Sequence, residues 1–453
     1  MSGPAWVRLD NASNIFLAAR SDSDPKVFRM SAELDHEVDP ARLQAALDET
    51  YDRYPLYHVV LRSGVFWYYL QDSDLRPVVT AEDQHTCAPI YQPGRRNLLF
   101  RVMHHRRRII LEIFHALSDG TGALWFLTDL LEAYCATGTP RMDERVEEPT
   151  THGLSVDSFG HYFRRRRRSG SADAFRAAVA SSELPALAPA PVPPDTHVAK
   201  ERPRGAKVFR VRGRLTPDSR TRVVELTMPA GQVLALARAE GVQLTMYLTA
   251  LFFEAVRLAS GGLGARRTLT ASVPVNLRQF FPSTSPRNFF ATVRVEHTYG
   301  EGADDVGSIG RQLEAQFRPK VTPEALERKV RRLIRLERMP VLRVLPRPFK
   351  DLVLGIVNRG VNRSLTVALS NLGRVALPEP AESRVGRMLF HVSAARPQFC
   401  AMSHAGLLTV SFTSPFSDTG HVREFARLLT GSGVDVTVAA ARVTEDELAA
   451  VDA

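Results

Sequence analysis

The chain has 453 residues, a length that fits two or three domains. Apolar residues at 44% and charged residues at 24% are ordinary globular proportions, which excludes wholesale disorder. Lys and Arg number 59 against 49 Asp and Glu, a formal net charge of +10. That excess favours acidic partners such as phosphates, an acidic protein or an anionic surface, and is silent about fold. Cys87, Cys135 and Cys400 are too few and too scattered for a disulfide framework, which fits a reducing compartment. The opening MSGPAWVRLD lacks the apolar core of a signal peptide, and no stretch approaches the ~18 apolar residues of a membrane span. The expectation is a soluble, cytoplasmic protein.

In chain order, the apolar spacing of Leu43, Leu47 and Tyr51 predicts a helix over 41–54, and residues 58–72 read as a hairpin turning at Ser63-Gly64. Trp67, Tyr68 and Tyr69 are read as core or the wall of a binding site. The run 107–114 (RRIILEIF) predicts a strongly apolar strand. Thr121 to Ala136 predicts a helix with Leu124, Leu127, Leu131 and Tyr134 on one stripe and Gly138 as its stop. Five arginines follow at 164–168, then an Ala-, Pro- and Ser-rich stretch whose prolines exclude helix and sheet interior. We read 1–168 as an N-terminal lobe, 169–206 as a linker and 207–453 as a C-terminal lobe. The alternative is a long surface excursion within one domain. Past the linker, a strand over 221–226 leads to helices near 229–240 and 245–260 and a strand over 268–274. Helical patterns fill 304–360, and SLTVALSN, RMLFHVSAA and LLTVSFTS supply strands before a helix over 423–433. Strands and helices in both halves indicate α/β layering.

Chemistry concentrates at 112–131. A buried strand ends at Phe114, His115 follows at once, and a helix starts after Asp119-Gly120. A histidine there can aim one ring nitrogen at a cavity, and its near-neutral pKa suits it to take a proton from a hydroxyl or amine. The bland account is that Ser118 or Asp119 caps the helix, Gly120 relieves a turn and His115 is structural.

His115-Ala116-Leu117-Ser118-Asp119-Gly120 is an HxxxDG motif. It resembles the signature of the superfamily containing chloramphenicol acetyltransferase, peptide-synthetase condensation domains, plant BAHD acyltransferases and mycobacterial polyketide-associated acyltransferases. Val275-Asn276-Leu277-Arg278, followed by Arg287-Asn288-Phe289-Phe290, resembles the VNxR segment and aromatic–asparagine stretch of BAHD-type enzymes. The texture of RYPLYHVVLRSGVFWYYL is most similar to bacterial alcohol O-acetyltransferase-like members.

The resemblance implies two chloramphenicol-acetyltransferase-like lobes, each a mixed β-sheet with flanking helices, enclosing a central tunnel. It implies transfer of an acyl group from an acyl-CoA thioester to an alcohol, with His115 as general base. Asp119 would be structural, paired with Arg278, beside Asn276, and Gly120 would allow the strand-to-helix turn. Ser370 or Asn371 would steady the oxyanion, although Ser, Asn and Gly are also routine turn residues. No bound cofactor is implied, only acyl-CoA or a phosphopantetheinyl carrier as co-substrate. Two departures narrow the branch. Phe114 stands where condensation domains carry a first histidine, which points away from peptide-bond formation, and the plant DFGWG signature is not replaced by Ser414-Pro415-Phe416-Ser417-Asp418. The rivals are an acyl-carrier-protein-dependent transferase and a non-catalytic binding protein on the same fold.

Other signals are set aside. Cys400 and His404 lack a third ligand at metal spacing, and no nucleophile elbow or P-loop occurs. His104 to Arg108 and the run 164–168 are read as solvated charge rather than as a nucleic-acid surface.

Overall fold

The computed structural model describes residues 6–9, 11–136, 207–216, 220–263, 266–281, 283–337 and 346–441. The 164–168 arginines, the 169–206 linker and Gly138 lie outside these residues. In chain order the strands are β1 (Trp6–Arg8), β2 (Val27–Leu34), β3 (Val59–Ser63), β4 (Tyr68–Asp72), β5 (Thr80–Ala81), β6 (Phe100–His105), β7 (Arg108–Phe114) and β8 (Lys207–Val208). They continue as β9 (Arg222–Pro229), β10 (Arg267–Asn276), β11 (Phe290–Thr298), β12 (Val367–Arg374), β13 (Val385–Val392), β14 (Gln398–His404), β15 (Leu407–Ser414) and β16 (Thr437–Ala440).

Two larger mixed sheets form the two lobes, beside a small three-stranded sheet β1-β4-β3. The first runs β13-β2-β7-β6-β5. Its central strand β7 is buried on both faces, which is why it reads as a continuous apolar run rather than an alternation. Helices Pro40–Arg53 and Gly120–Cys135 cover this sheet with Leu43, Leu47, Phe126 and Leu130. The edge strand β13 comes from far along the chain and pairs antiparallel with β2, from Val385↔Leu34 to Val392↔Phe28. The second sheet runs β11-β10-β12-β14-β15-β9-β16, with β8 beside β10. Helix Leu244–Ala259 lies at the heart of that lobe and is buried nearly all round, Phe252 and Phe253 included. Among the described residues no single helix is long and apolar enough to cross a membrane.

The expected helices and strands recur with shifted ends. The 423–433 helix starts earlier, at Gly420. The hairpin forms as β3 and β4, closed by the Gly64 N–H donating to the Trp67 carbonyl at 2.8 Å. Trp67, Tyr68 and Tyr69 are only half-buried rather than core. The basic run 104–108 is the β6–β7 turn, with Arg106 at φ 49°. It is not wholly solvated: Arg108 bonds Glu225 across the lobes at 3.0 Å, because the turn points at the second sheet.

One detail of the second sheet matters for the site. Parallel strands β10 and β12 pair only at Ala271↔Val367 and Ser272↔Ala368, then diverge. Pro274 is tolerated beyond that point because no β12 carbonyl there needs its missing N–H. The splayed strand ends carry Asn276 and Arg278 on one side and Ser370 and Asn371 on the other.

Candidate active site

His115 leaves the end of β7 as the chain turns toward helix Gly120–Cys135. Its backbone is held at both ends: the N–H donates to the Lys26 carbonyl at 2.8 Å, and the carbonyl accepts from Asn288 Nδ2 at 2.8 Å. The ring stacks on Phe16, with centroids 3.9 Å apart and planes at 12°, and meets the edge of Phe28 at 5.0 Å. Nδ1 is buried without a hydrogen-bond partner, while the residue as a whole remains partly open to solvent. Burial among these aromatic rings pushes the imidazole down to about 4, opposed in part by its own backbone and by the Asp119 charge. At neutral pH the ring is therefore uncharged and able to accept a proton.

Asp119 caps the helix through Oδ1, which accepts the Gly122 N–H at 2.9 Å. Its Oδ2 accepts from Arg278 Nη1 and from the Phe289 N–H, each at 2.8 Å. Both accounts of Asp119, cap and ion-pair partner, hold at once because each oxygen serves one. Arg278 also donates to the carbonyls of Ser285 and Arg287, at 2.7 and 2.6 Å, and its guanidinium lies over the Trp125 ring at 5.2 Å. Asn276 accepts the Arg278 N–H at 3.0 Å and donates to Thr121 Oγ1 at 3.1 Å. Ser118 completes the seam by donating to the Pro286 carbonyl at 2.6 Å. Residues 276–278 and 285–289 of the second lobe thus hold His115, Ser118, Asp119 and Thr121 of the first.

Gly120 is the first helical residue and has no positive φ, so its backbone does not demand glycine. What limits it is space, since a Cβ there would sit 3.1 Å from the Leu372 side chain. Gly122 is the stricter position: a Cβ would fall 2.1 Å from the Pro286 carbonyl oxygen.

Leu372 locates the remaining candidates. Val367 and Leu369 on β12 face the core of the second lobe, whereas Leu372 packs against the core of the first. By the two-residue period of a strand, Ser370 turns away from the second core and Asn371 toward it. Asn371 is fully engaged, donating to Thr245 Oγ1 at 2.9 Å and accepting the Gly373 N–H at 2.8 Å. The four-residue pair Cys400 and His404 lies on β14, with the His404 ring nitrogens against the carbonyls of Val375 and Val385.

The sequence reading passed over Phe16 and Gly122, took Ser118 only as a possible cap, and gave Asn288 no role of its own. Asn288 lies in a stretch already singled out, so its position was a usable signal. Phe16 has none, being about a hundred residues from the ring it stacks on.

A second feature is an arginine-lined cavity. Its volume is about 280 Å³ and it is lined by Arg210, Arg212, Arg359, Arg363 and Arg396, with no acidic residue among the described residues of its wall. Arg396 reaches Asn362, its Nε is buried without a partner, and burial lowers its guanidinium below the usual arginine range. The β13–β14 connection that carries Arg396 is bonded to the start of β2. Ser393 N–H donates to the Val27 carbonyl at 2.8 Å, one residue from the Lys26 carbonyl that holds His115.

No family model and no curated protein matches the chain. Its fold does match solved structures: it is the two-lobed fold of chloramphenicol-acetyltransferase-like acyltransferases. Polyketide synthase associated protein 5 from Mycobacterium tuberculosis superposes at a TM-score of 0.57 and 14% identity, over 93% of this chain and 96% of its own. TRI101 from F. sporotrichioides, complexed with coenzyme A and T-2, gives 0.59 and 12%, over 95% and 99%. TRI3 trichothecene 15-O-acetyltransferase from Fusarium sporotrichioides gives 0.57 and 11%, over 95% and 94%. At these identities the likeness is one of fold.

Proposed function

We propose that the chain transfers an acyl group from a coenzyme A thioester to an alcohol, with His115 as general base. The observation that carries this reading is the ring itself: uncharged, stacked on Phe16 and fixed by its backbone to Lys26 and Asn288. In the proposed step the imidazole removes the hydroxyl proton as the alcohol oxygen bonds to the thioester carbonyl carbon. The tetrahedral oxyanion then collapses, the C–S bond breaks, and the leaving thiolate takes the proton back from the imidazolium. Ser370 is the proposed oxyanion donor, since its hydroxyl is on the side of β12 that turns from the second core, while the Asn371 amide is occupied. A well-aimed donor of this type contributes roughly 2.7–4 kcal/mol to the barrier. Asp119 and Arg278 keep the motif in place without touching the reacting atoms.

A pH profile tests the base. Protonation of His115 removes it, so kcat/KM should stay flat through neutrality and fall only as pH drops toward about 4. An acid limb at the ordinary histidine value of 6.5 would contradict the environment described for this ring.

The proposed donor is coenzyme A, a reading the arginine cavity supports. Planar guanidinium forks suit phosphate, and a free nucleotide thioester brings several phosphate groups where a carrier-borne arm brings one phosphodiester. Hydrogen bonds to charged groups contribute roughly 1.5–3 kcal/mol. Arg396→Gln or Arg363→Gln should therefore raise KM for acetyl-CoA about 10- to 100-fold. The same variants should leave transfer from an acyl-pantetheine without phosphates nearly unchanged. The wild-type donor KM should rise with ionic strength while KM for a neutral alcohol stays flat. Incubation with a range of acyl-CoA donors and an alcohol panel, read by mass spectrometry, tests the whole reading. Activity only with an acylated carrier protein would move the donor to the carrier, and no transfer with any donor would leave a binding protein on this fold.

A further inference from the structure

An amphipathic helix on a globular surface turns its apolar stripe inward. Helix Arg347–Arg363 does the reverse. Phe349, Leu352, Val353, Ile356, Val357 and Val361 fall at helical spacing on one face, and all stand between 48% and 61% exposed. Three polar residues of the same helix contact the rest of the protein instead. Lys350 lies 3.5 Å over the Trp67 ring and donates to the Phe66 carbonyl at 3.0 Å. Asp351 accepts from the Tyr68 hydroxyl at 3.0 Å, and Asn362 accepts from Arg396. These inward contacts pin the rotation of the helix, so the outward stripe is a fixed feature of the fold. The β3–β4 turn extends it: Val65 is 70% exposed, and its carbonyl accepts the Arg347 N–H at 2.9 Å.

We propose that this face docks on an anionic phospholipid surface. An exposed, contiguous apolar stripe marks an interaction site rather than ordinary surface. Its length from Phe349 to Val361, about 18 Å along the axis, suits a helix lying flat at the boundary of headgroups and acyl chains. Charge selects the occupant. The helix has one acidic residue, Asp351, and it faces inward, whereas Arg359 and, in the last turn, Arg363 are exposed. With a chain charge of +10, this face presents apolar side chains edged by cations to an anionic interface. A second copy would set those cations against their own kind. The proposal does not rest on the acyl-transfer reading, although Arg359 and Arg363 also line the arginine cavity, so its variants are placed at Leu352, Ile356 and Phe349 instead.

Flotation of the purified full chain tests it, using vesicles of phosphatidylcholine alone and of phosphatidylcholine with phosphatidylglycerol. The chain should float with the anionic vesicles, less so at high salt. Leu352→Glu combined with Ile356→Glu should lower that partition about tenfold or more while leaving the circular dichroism spectrum unchanged. As a conservative second probe, Phe349→Trp should give indole emission that shifts blue and is quenched by brominated acyl chains when anionic vesicles are added. Wild-type chain that ignores anionic vesicles overturns the proposal. So does vesicle binding that the glutamate pair leaves intact, or a solution dimer that the same pair dissolves.

Discussion

His115→Ala should lower the transfer rate by about 10²–10⁴ while the protein remains folded. The expectation follows from what the ring does and does not support. Its backbone N–H and carbonyl hold the bonds to Lys26 and Asn288, and alanine keeps both. What is lost is the imidazole between Phe16 and Phe28, a side chain whose Nδ1 makes no hydrogen bond to forfeit. The stability change should therefore fall within the usual 0.5–3 kcal/mol of a single substitution, far short of unfolding a lobe. His115→Gln fills more of the same space without a nitrogen that can take the proton, and should be as inactive as alanine. A folded His115→Ala protein that turns over at the wild-type rate would eliminate the general-base mechanism.

The second large effect should come from the ion pair between the lobes. Asp119 and Arg278 are each more than nine-tenths buried, and the pair is 2.8 Å apart. Removing one partner of a buried pair costs about 3–5 kcal/mol, because the remaining charge is left in a site that cannot hydrate it. Asp119→Ala should lie at the upper end of that range. It strands Arg278 and also leaves the N–H groups of Gly122 and Phe289 without an acceptor. Arg278→Met strands the carboxylate and frees the carbonyls of Ser285 and Arg287. Since the same loop carries Asn288, both variants should lose activity together with stability. Denaturant unfolding of the two single variants and the double variant gives the measurement. The double variant should be much less destabilised than the sum of the singles, by 0.5–3 kcal/mol or more, as expected of residues in one network. Simple additivity would mean that the contact does not hold the lobes in register.

By itself the sequence determined what is local. The apolar run ending at Phe114, the capping Asp119 and the amphipathic helix behind it are near-neighbour relations, and they appear where residue spacing puts them. Two-lobed α/β layering was legible for the same reason, together with the HxxxDG resemblance. The identity of the partners was not. The apolar strand VGRMLFHV carries no mark of which sheet it joins, and it completes the first although its chain neighbours build the second. Phe16, Asn288 and Arg396 matter through contacts with segments far along the chain, and no periodicity encodes those meetings. Helix 347–363 shows the limit most plainly. The helical pattern read over 304–360 covers most of it, but that pattern does not say which face turns outward, and here the apolar one does. Trp67, Tyr68 and Arg396 offer its polar face ring, hydroxyl and guanidinium partners, and those contacts set the rotation. Only tertiary structure decides such a competition, because its energy lies between segments rather than within one.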